Sequence, residues 1–530
     1  MDKQQFEKSV QLFKVLGEIR LPSGRNLKEE LNLGTDISLW DVIAPYLVLY
    51  RFPYFFRSSL KRSAWRQRIY QRIRPYLGVA GRMRDDFLHL PEKNSLACRE
   101  WHGDGPIVLF LGFSPLFFRD VLEPVVRQLL DRSSWRIVVI GHGSRSFHDL
   151  PKNKKLSLQS IWEHWKQDTE ALKQKMTLHL QESQTFFLDR NIFLSILRDQ
   201  GLMLNTSALI SEFKWLFRRE FRRLIPQTAA AFHILQQHRP SLIVSPDDAD
   251  QRCRIYSLAG RTLGIPSLIV QQGFTRPSYP DWHFFSGDAV AAIGETSRNA
   301  IIEQGVPADL ITVTGHPGFD QLAEPNDGTD ERIRRDYKMT DDDRFILFAS
   351  QPYYVGAFSN PDIRREMMKA VVEAASSMKN ARLIVKPHPS EDKRELKSMI
   401  SGRSKAVLAE ETINITHLIK ACDVLITFFS TSALQALYAG KPVISVDFPG
   451  SGVPPMYSDS GATWVARSSE EITSHLKRLI GGERRSEIES RDHRRQQFVY
   501  EWAHIPDGCA AERVIHLIHR MLPELGLADQ

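Results

Sequence analysis

Three consecutive hydroxyl residues follow one of the most apolar stretches of the chain. Residues 423–429 (DVLITFF) predict a buried strand of a parallel sheet, and Ser430, Thr431 and Ser432 come directly after it. Residues 433–440 then predict a short helix that ends at a glycine. The first turn of a helix carries unpaired N–H groups and a partial positive charge, and the hydroxyls add further donors. This stretch therefore predicts a phosphate-binding site.

A histidine follows a second predicted strand further upstream. Residues 383–389 read LIVKPHP, so Lys386 lies at the strand end and His388 comes just past it. In open α/β sheets, ligands bind at the carboxyl ends of the strands. The alternative is an ordinary βαβ unit whose serine-rich turn only caps a helix. The two motifs together favour a nucleotide site.

Length and composition describe a large globular protein. The 530 residues are too many for one core and suggest two or three domains. No run of 18 or more apolar residues is present and the first residues do not form a secretory signal, so we expect a cytosolic protein. The four cysteines lie far apart and form no Cys-x-x-Cys pair, which argues against a disulfide framework and a cysteine zinc site.

The order of predicted elements indicates the α/β class, with two Rossmann-like domains and an N-terminal helical extension over 1–100. The N-terminal Rossmann-like domain would span 101–325, with a helical insertion at 152–235. The C-terminal Rossmann-like domain would follow over 326–530. The predicted strands span 106–112, 135–141, 241–244, 267–270, 289–293, 345–349, 381–386, 405–408, 423–428 and 442–447.

One segment carries an uneven share of the positive charge. Residues 42–84 contain ten basic and no acidic residues, interleaved with aromatics. Leu60, Trp65, Ile69 and Ile73 fall on one face of a predicted helix, with arginines on the others. This pattern is typical of an anchor on an anionic membrane surface. The alternative is a helix that packs on the protein body with a solvated basic face. Nucleic acid is the least favoured partner, because no nucleic-acid motif accompanies the patch.

Three motifs, taken in order, resemble the GT-B class of glycosyltransferases. They are VTGHPGFD at 313–320, KPHP at 386–389, and the hydroxyl run with the Gly-Lys-Pro at 440–442. More narrowly, they resemble enzymes of bacterial surface polysaccharides: capsule Kdo transferases, polysialyltransferases, and CDP-glycerol or CDP-ribitol polymerases. The UDP-N-acetylglucosamine 2-epimerases share this fold. The resemblance covers residues 240–450 well and the preceding domain in outline, and it does not extend to residues 1–100.

The resemblance implies two domains that face a cleft, with the acceptor bound to the N-terminal Rossmann-like domain (101–325) and the nucleotide donor bound to the C-terminal one (326–530). His388 would bind the phosphate or the cytidine of the donor, and Ser430, Thr431 and Ser432 would bind its phosphates. Lys386 would add positive charge. His316 would lie at the interdomain cleft, on a phosphate or pyrophosphate. For both histidines the alternative is a ring that fixes a turn before a proline.

Two departures from the epimerase pattern favour transfer over epimerisation. Ser-Thr-Ser-Ala at 430–433 stands where the epimerases have Asp-Ser-Gly-Gly. Gly-His-Pro at 315–317 stands where they usually have Gly-Asn-Pro.

An inverting transferase needs a general base near the acceptor hydroxyl. The sequence VSPDDAD at 244–250 places three carboxylates just past a predicted strand end. Asp247 or Asp248 is the preferred base, and at least one of the three carboxylates is expected to cap the following helix. Glu295, after a third strand, is the second candidate.

A glutamine-glycine turn follows the next strand of the same domain. The turn reads QQGF at 271–274 and resembles the corresponding turn of these families. Gln272 and Gly273 would therefore lie on the acceptor side, where a glycine lets the backbone approach the substrate.

The sequence predicts neither a cofactor nor a metal site. It contains no HExxH motif and no EF-hand loop, and the aspartate run at 341–343 is interpreted as the solvated start of a helix. GT-B enzymes commonly act without a bound metal. We therefore expect helix N-termini and basic side chains to stabilise the leaving phosphate.

These observations predict a cytosolic GT-B enzyme at the inner face of the cell membrane. It would transfer a sugar or polyol phosphate from a nucleotide donor, with a CMP- or CDP-linked donor favoured, to a surface polysaccharide or a lipid-linked acceptor. A nucleotide-sugar 2-epimerase is the alternative with the same fold. A non-catalytic scaffold that binds glycans or nucleotide sugars is the alternative of a different class.

Overall fold

The structure is a computed structural model. It describes residues 3–21, 23–52, 105–142, 147, 150–165, 169–189, 191, 194–195, 206–274, 281–325, 328–353, 358–388, 391–410, 412–481 and 485–522.

The chain divides into two compact units. Unit 1 comprises Met1–Ala292, Arg298–Thr312 and Glu512–Gln530, and unit 2 comprises Ile293–Ser297 and Val313–Ala511. Residues 313–325, which precede the predicted boundary at 326, thus belong to unit 2, and the last helix belongs mainly to unit 1.

Contacts between distant parts of the chain account for these limits. The Asp320 carboxylate accepts hydrogen bonds from the N–H groups of Ala510 and Ala511 at 2.9 and 2.8 Å. The ring of His519, in the last helix, lies 4.3 Å from the ring of Trp135. Partners so far apart in sequence leave no local signal, so chain order alone could not predict the limits.

Unit 1 is built on a seven-stranded sheet with the order β3-β2-β1-β4-β5-β6-β7. The strands from β3 to β6 in this order pair in parallel. This is the strand order of the Rossmann fold. The strands β1, β4, β5 and β6 are buried throughout, because a parallel sheet is covered on both faces. The strands are Ile107–Gly112 (β1), Arg136–Gly141 (β2), Leu156–Ser160 (β3), Leu242–Ser245 (β4), Ser267–Val270 (β5), Ala289–Ala292 (β6) and Ile311–Val313 (β7).

Helices connect these strands. The described α-helices up to residue 312 are Lys3–Gly17, Leu27–Glu30, Leu39–Val42, Ala44–Tyr46, Pro115–Phe117, Glu123–Arg132, Glu170–Leu188, Thr206–Trp215, Phe221–His238, Gln251–Thr262 and Glu295–Glu303. Short 3₁₀ or π-helical turns lie at Leu47–Arg51, Phe118–Leu122, Ile161–His164, Leu216–Glu220, Asp281–Phe284 and Ala308–Leu310.

The strand β3 lies within 152–235, where the sequence predicted a helical insertion, so that part of the prediction is wrong. It pairs in parallel with β2 at the edge of the sheet. Its sequence, LSLQS, contains only two apolar residues and is buried only at its start. An edge strand has fewer neighbours to pack against, so it lacks the continuous apolar run by which the central strands were recognised. Helices make up most of the described part of the stretch that follows.

The described part of the N-terminal extension packs into the core of unit 1. Trp40 stacks on Phe13 with ring centroids 4.8 Å apart. Leu16 and Leu27 are fully buried in the same hydrophobic cluster as residues of β1 and β2. The predicted basic helix at 60–74 lies outside the described residues.

Unit 2 repeats the same strand order. Its six-stranded sheet runs β10-β9-β8-β11-β12-β13, and every neighbouring pair is parallel. The strands are Arg344–Ala349 (β8), Ala381–Lys386 (β9), Ala406–Leu408 (β10), Val424–Thr427 (β11), Val443–Val446 (β12) and Trp464–Ala466 (β13). The prediction of two Rossmann-like units in an α/β protein is confirmed.

Capping residues set the starts of the helices in unit 2. Asn360 accepts hydrogen bonds from the first turn of Pro361–Ser376, and Ser468 caps Ser469–Ile480 in the same way. The helices from residue 313 onwards are Asp320–Ala323, Thr329–Asp336, Pro361–Ser376, Lys393–Ile400, Ile415–Ala421, Thr431–Tyr438, Ser469–Ile480, Arg485–Ala503 and Ala510–Met521, with a 3₁₀ turn at Pro317–Phe319.

Candidate active site

The hydroxyl residues lie at the carboxyl edge of the unit 2 sheet. After β11 and two buried phenylalanines, Ser430 adopts an extended conformation and caps the helix Thr431–Tyr438. Its Oγ accepts a hydrogen bond from the Ser432 N–H at 3.2 Å, and Thr431 is exposed. The three predicted residues therefore surround one helix N-terminus, where the first N–H groups have no partner within the helix.

Two side chains from other loops hold this turn in place. The N–H of Phe429 donates to Gln351 Oε1 at 2.9 Å. The hydroxyl of Tyr457 donates to the carbonyl oxygen of Ser430 at 2.9 Å. Gln351 follows β8, which is the strand beside β11 at which the order of the sheet reverses. Ligands of open α/β sheets bind at this switch point.

His388 lies at the same edge, just past β9. Because β9 and β11 both pair with β8, their ends are two strand spacings apart, roughly 10 Å. The ring is half-buried, and this burial lowers the pKa of His388 below its ordinary value, against the smaller opposing effect of Glu391. The imidazole is therefore mainly neutral at pH 7.

A buried carboxylate that sequence reasoning missed holds the histidine turn. Glu391 accepts hydrogen bonds from the N–H of His388 at 3.2 Å and the Oγ of Ser350 at 2.6 Å. Its second oxygen forms an ion pair with Arg364 at 2.5 Å. Ser350 and Arg364 lie far away in sequence, so the only local signal was an acidic residue three positions after the histidine.

Lys386 makes a structural contact at the end of β9. Its ammonium donates to the carbonyl oxygens of Glu410 and Ile413 at 2.8 and 2.7 Å. The side chain thus ties a loop after β10 to the end of β9. The predicted contribution of its positive charge to donor binding stays a prediction.

His316 fixes a turn, which is the alternative that the sequence left open. Its Nδ1 accepts a hydrogen bond from the Gly318 N–H at 3.1 Å, and its ring stacks on Phe319 at 4.5 Å. Phe319 in turn contacts Tyr438, the last residue of the helix that Ser430 caps. His316 is therefore connected through Phe319 to the carboxyl end of that helix. A role on the donor phosphate stays a prediction.

The unit 1 sheet brings the predicted acceptor-side residues together at its own carboxyl edge. One small pocket is lined by residues after β4, from β5 and the turn after it, and from a 3₁₀ turn; they are Pro246, Asp247, Asp248, Ala249, Ile269, Gln271, Gln272, Gly273 and Trp282. Since β4 neighbours β1 where the strand order of this sheet reverses, the pocket lies at the switch point of unit 1.

Asp248 is buried and bound within the protein. Its carboxylate accepts hydrogen bonds from the N–H and the hydroxyl of Ser286 and forms an ion pair with Arg254 at 3.3 Å. Burial raises the pKa of Asp248, while Arg254 and the Ser286 hydrogen bonds oppose that shift. A carboxylate with this many partners is suited to hold the loop rather than to accept a proton from a substrate.

Asp250 provides the expected helix cap. Its side chain accepts a hydrogen bond from the Arg252 N–H at 2.8 Å at the start of Gln251–Thr262. Burial opposes ionisation, but the guanidinium of Arg252 holds the pKa of Asp250 below its ordinary value. Arg252 also contacts His142 Nε2 at 2.7 Å, so the cap belongs to a network at this edge.

Asp247 is the carboxylate that reaches the pocket while half-exposed. One of its oxygens accepts a hydrogen bond from the Ala249 N–H at 2.7 Å, which orients the side chain. Geometry therefore favours Asp247 over Asp248 as the candidate base.

The predicted glutamine-glycine turn faces the same pocket. The side-chain amide of Gln271 donates to the carbonyl oxygen of Gly273 at 2.7 Å and closes the turn, with Gln272 between them. A Cβ added at Gly273 would meet no atom within 4 Å. Nothing in the described fold requires a glycine there, which is consistent with a backbone that faces a ligand.

Glu295 is half-exposed and begins the helix Glu295–Glu303 in unit 2. The preceding Gly294 lies so close to the backbone of Glu501 and Trp502 that a Cβ would approach their atoms to 2.6 Å. The structure thus assigns Glu295 to a different unit from Asp247.

The first basic residue of the predicted segment 42–84 is not available to a membrane. Arg51 is buried, pairs with Glu212 at 2.6 Å and lies 4.6 Å over the ring of Trp215. The other nine basic residues of 42–84 lie outside the described residues.

The described residues form neither a cluster of metal ligands nor a helix suited to cross a membrane. No group of three His, Cys, Asp or Glu side chains in the described ranges is arranged to hold a metal ion. Among the helices that the structure describes, none combines the length and the apolar character needed to span a bilayer.

A family match covers the unit 2 edge. Residues 295–520 match the family described as CDP-Glycerol:Poly(glycerophosphate) glycerophosphotransferase. No curated protein matches the sequence.

Solved structures share the fold at low identity. A Listeria monocytogenes protein described as a UDP-N-acetylglucosamine 2-epimerase is similar with a TM-score of 0.52 and 14% identity, over 80% of this chain and 98% of that chain. A glycosyltransferase from Rickettsia africae gives 0.47 and 11%, over 79% and 100%. Anabaena HepE in complex with UDP and glucose gives 0.45 and 13%, over 79% and 100%. At these identities the likeness shows the fold alone, and of these three structures the Listeria protein has a TM-score above 0.5.

The comparisons confirm the resemblance to the GT-B class and to the transferases of bacterial surface polymers. The residues that match this family, 295–520, contain His388 and Ser430–Ser432. The comparisons are silent on the donor, the acceptor and the roles of individual side chains.

Proposed function

We propose that this protein is a nucleotide-dependent transferase that moves a sugar or a polyol phosphate from a CMP- or CDP-linked donor to a surface polysaccharide or a lipid-linked acceptor. The observation that carries the proposal is the family match, because residues 295–520 contain His388 and the hydroxyls of 430–432. The family's own description names CDP-glycerol, which supports a cytidine nucleotide as the donor.

The donor phosphates would bind at the unit 2 edge. The N-terminus of Thr431–Tyr438 offers N–H groups and a partial positive charge, and the adjacent hydroxyls add donors. His388 is mainly neutral without a ligand, because burial lowers its pKa. An anion beside the ring would raise that pKa, so donor binding would draw a proton onto the imidazole and strengthen the contact.

Asp247 would act on the acceptor. Its carboxylate would take the proton from an acceptor hydroxyl while the hydroxyl oxygen forms the new bond. With a sugar donor, the oxygen attacks the anomeric carbon, the bond to the phosphate oxygen breaks, and the configuration inverts. With a CDP-polyol donor, the oxygen attacks the outer phosphorus and CMP leaves.

In both cases the leaving phosphate takes the negative charge. Preorganised N–H and hydroxyl donors at the start of Thr431–Tyr438 are suited to stabilise it, which supports a metal-independent mechanism. Glu295 would be the base only if Asp247 were not.

The enzyme would work in the cytoplasm, at the inner face of the membrane, with the basic residues of 42–84 other than the buried Arg51 on anionic lipid. Each basic residue near such a surface contributes about 1 kcal/mol, and salt weakens the effect. Liposome flotation with and without acidic lipid, at low and high salt, tests this part. Equal flotation on neutral and anionic vesicles would contradict an electrostatic anchor.

A thermal-shift screen with CMP, CDP, UDP and GDP tests the donor assignment. A nucleotide at 100 times its Kd stabilises the folded protein by about 2.7 kcal/mol. We expect the cytidine nucleotides to give the largest shift. The nucleotide-linked donor should then be consumed only when an acceptor is present.

Two other results would replace the proposal. Conversion of a UDP-sugar without an acceptor would identify an epimerase. Ligand binding without turnover in the presence of donor and acceptor would identify a binding scaffold.

A further inference from the structure

A second pocket of unit 2 lies away from the hydroxyl turn. It has a volume of about 370 Å³, within the range of roughly 300–1,000 Å³ that is typical of small-molecule sites. One wall is a loop after β12 and the other is one face of the helix Arg485–Ala503. The lining residues are Pro455, Met456, Asp459, Ser460, Arg494, Gln497, Phe498, Glu501 and Trp502.

This pocket is separate from the candidate phosphate site. The buried side chain of Tyr457 lies between the two: its ring is 5.9 Å from the ring of Phe498, and its hydroxyl bonds to Ser430. Tyr457 itself does not line the pocket.

The helix contributes an aromatic wall and fixed polar groups. The residues 494, 497, 498, 501 and 502 follow helical spacing, so they share one face. Phe498 and Trp502 stack with ring centroids 5.5 Å apart. The side-chain amide of Gln497 donates to Glu501 Oε1 at 3.0 Å, which orients this carboxylate.

The charged groups of the pocket decide the class of ligand. Within the described part of the chain, the side chains of Asp459 and Arg494 form no hydrogen bond or ion pair, and both are exposed. Two carboxylates disfavour a phosphate group, and the guanidinium disfavours a cation. A hydroxyl donates to a carboxylate and also accepts from a guanidinium or an amide, so it satisfies both kinds of group.

We infer that this pocket binds a sugar ring of a neutral glycan chain. The apolar C–H face of the ring would lie against Trp502, and its hydroxyls would bond to Asp459, Arg494 and Glu501. The pocket would hold the glycan whatever nucleotide binds beside Ser430. Its role would be to retain a polymer near the enzyme.

Ligand-observed NMR on the full chain tests the inference, with glucose, N-acetylglucosamine, maltotriose and glycerol as probes. We expect saturation transfer to at least one sugar, with Asp459→Ala and Arg494→Ala each weakening binding about tenfold or more. Both residues are exposed, so neither variant should lose the fold. Tyr500→Ala is the matched control, because Tyr500 is 50% exposed on the same helix and does not line the pocket.

Saturating CDP distinguishes this site from the donor site. We expect sugar binding to persist in CDP, while a thermal shift reports separately whether CDP binds. Displacement of the sugar by CDP, wild-type sugar binding in both variants, or no transfer to any probe would each overturn the inference. Displacement by CDP would also indicate that CDP occupies this pocket, whereas the other two results leave the assignment of the donor to Ser430 unaffected.

Discussion

The carboxyl edges of the two sheets use the same strand order and the same supporting device, yet they present opposite chemistry. In unit 1, the buried carboxylate of Asp248 pairs with the buried Arg254. In unit 2, the buried carboxylate of Glu391 pairs with the buried Arg364. Each pair holds a loop at the switch point of its sheet. The residue that can meet a substrate is the neighbour that remains partly exposed.

The neighbours differ in kind. The unit 1 edge leaves a carboxylate, Asp247, which can accept a proton. The unit 2 edge leaves His388, hydroxyls and helix N–H groups, which can donate to an anion. In both sheets the buried carboxylate–arginine pair holds the loop in place. Its burial keeps this carboxylate away from a substrate, so the neighbouring, more exposed residue is the one that can take part in chemistry.

Asp247→Asn should have the largest effect on the rate. Asparagine keeps the shape but cannot accept a proton, so turnover should fall by about 10² to 10⁴ while donor binding is retained. Steady-state rates with a fixed acceptor, together with donor titrations, measure both. Wild-type turnover in this variant would show that Asp247 is not the base. Glu295 would then be the next candidate, which Glu295→Gln would test.

Asp248→Ala and Glu391→Ala should act mainly on stability. Asp248→Ala leaves the buried Arg254 without its carboxylate partner, which costs about 3–5 kcal/mol of the free energy of unfolding. Glu391→Ala should cost less, because Arg364 keeps its ion pair with Glu395 at 2.9 Å. Urea denaturation measures this. The double replacement of Asp248 and Arg254 by leucine and methionine is the control and should recover part of the loss. An Asp248→Asn protein that is as stable as wild type but inactive would contradict the comparison.

Acid should weaken unit 1 through a histidine cluster. His164 lies 5.6 Å from His233 and 6.2 Å from His238, ring to ring. Burial and these two neighbours lower the pKa of His164 to about 4. Below pH 6.5 the unfolded chain therefore binds a proton that the folded protein does not. The free energy of unfolding should keep its full value above pH 6.5 and should decrease by at most about 3 kcal/mol as the pH falls to 4.

His164→Gln should flatten this acid limb. Urea denaturation of the variant and of wild type between pH 4 and 7.5 gives the comparison, with the exposed His493→Gln as control. An unchanged slope in His164→Gln would show that the cluster does not titrate as described.

His388→Ala should lower turnover about tenfold to a hundredfold and leave the melting temperature unchanged, since one contact to a charged phosphate is lost. Burial lowers the pKa of His388 in the free protein, and a bound phosphate would raise it. Donor affinity should therefore decrease as the pH rises from 5.5 to 8. Titrations in wild type and the variant measure this, and a pH dependence that persists without the histidine would contradict its role.

Most of the fold followed from the sequence because buried parallel strands are continuous apolar runs. Ser267–Val270 and Ala381–Lys386 have the predicted limits. The sequence did not reveal β3, β7 and β13. The strand β3 lacks a continuous apolar run, and β7 and β13 have only three residues each. The strand order was predicted only as a class, since it depends on pairings between distant segments.

The candidate site was predicted less completely, because partners decide the role of each side chain. The sequence places Asp247 and Asp248 side by side, and only the fold brings Ser286 to one of them. The sequence of Lys386 and its neighbours predicts a phosphate ligand, whereas the structure shows that its ammonium donates hydrogen bonds to the carbonyl oxygens of Glu410 and Ile413. The position of Ser430 at a helix N-terminus was easier to predict, since the capping residue and its helix are contiguous in the chain.

Calorimetric titration of CDP into wild type, His388→Ala and Thr431→Val tests the central claim most directly. Thr431 is exposed and does not cap the helix, so valine removes one hydroxyl without a cost in stability. We predict that CDP binds to wild type, that His388→Ala binds it at least tenfold more weakly, and that Thr431→Val loses about two- to tenfold in affinity. No binding of CDP, or equal affinity in all three proteins, would contradict the assignment of the donor to the unit 2 edge.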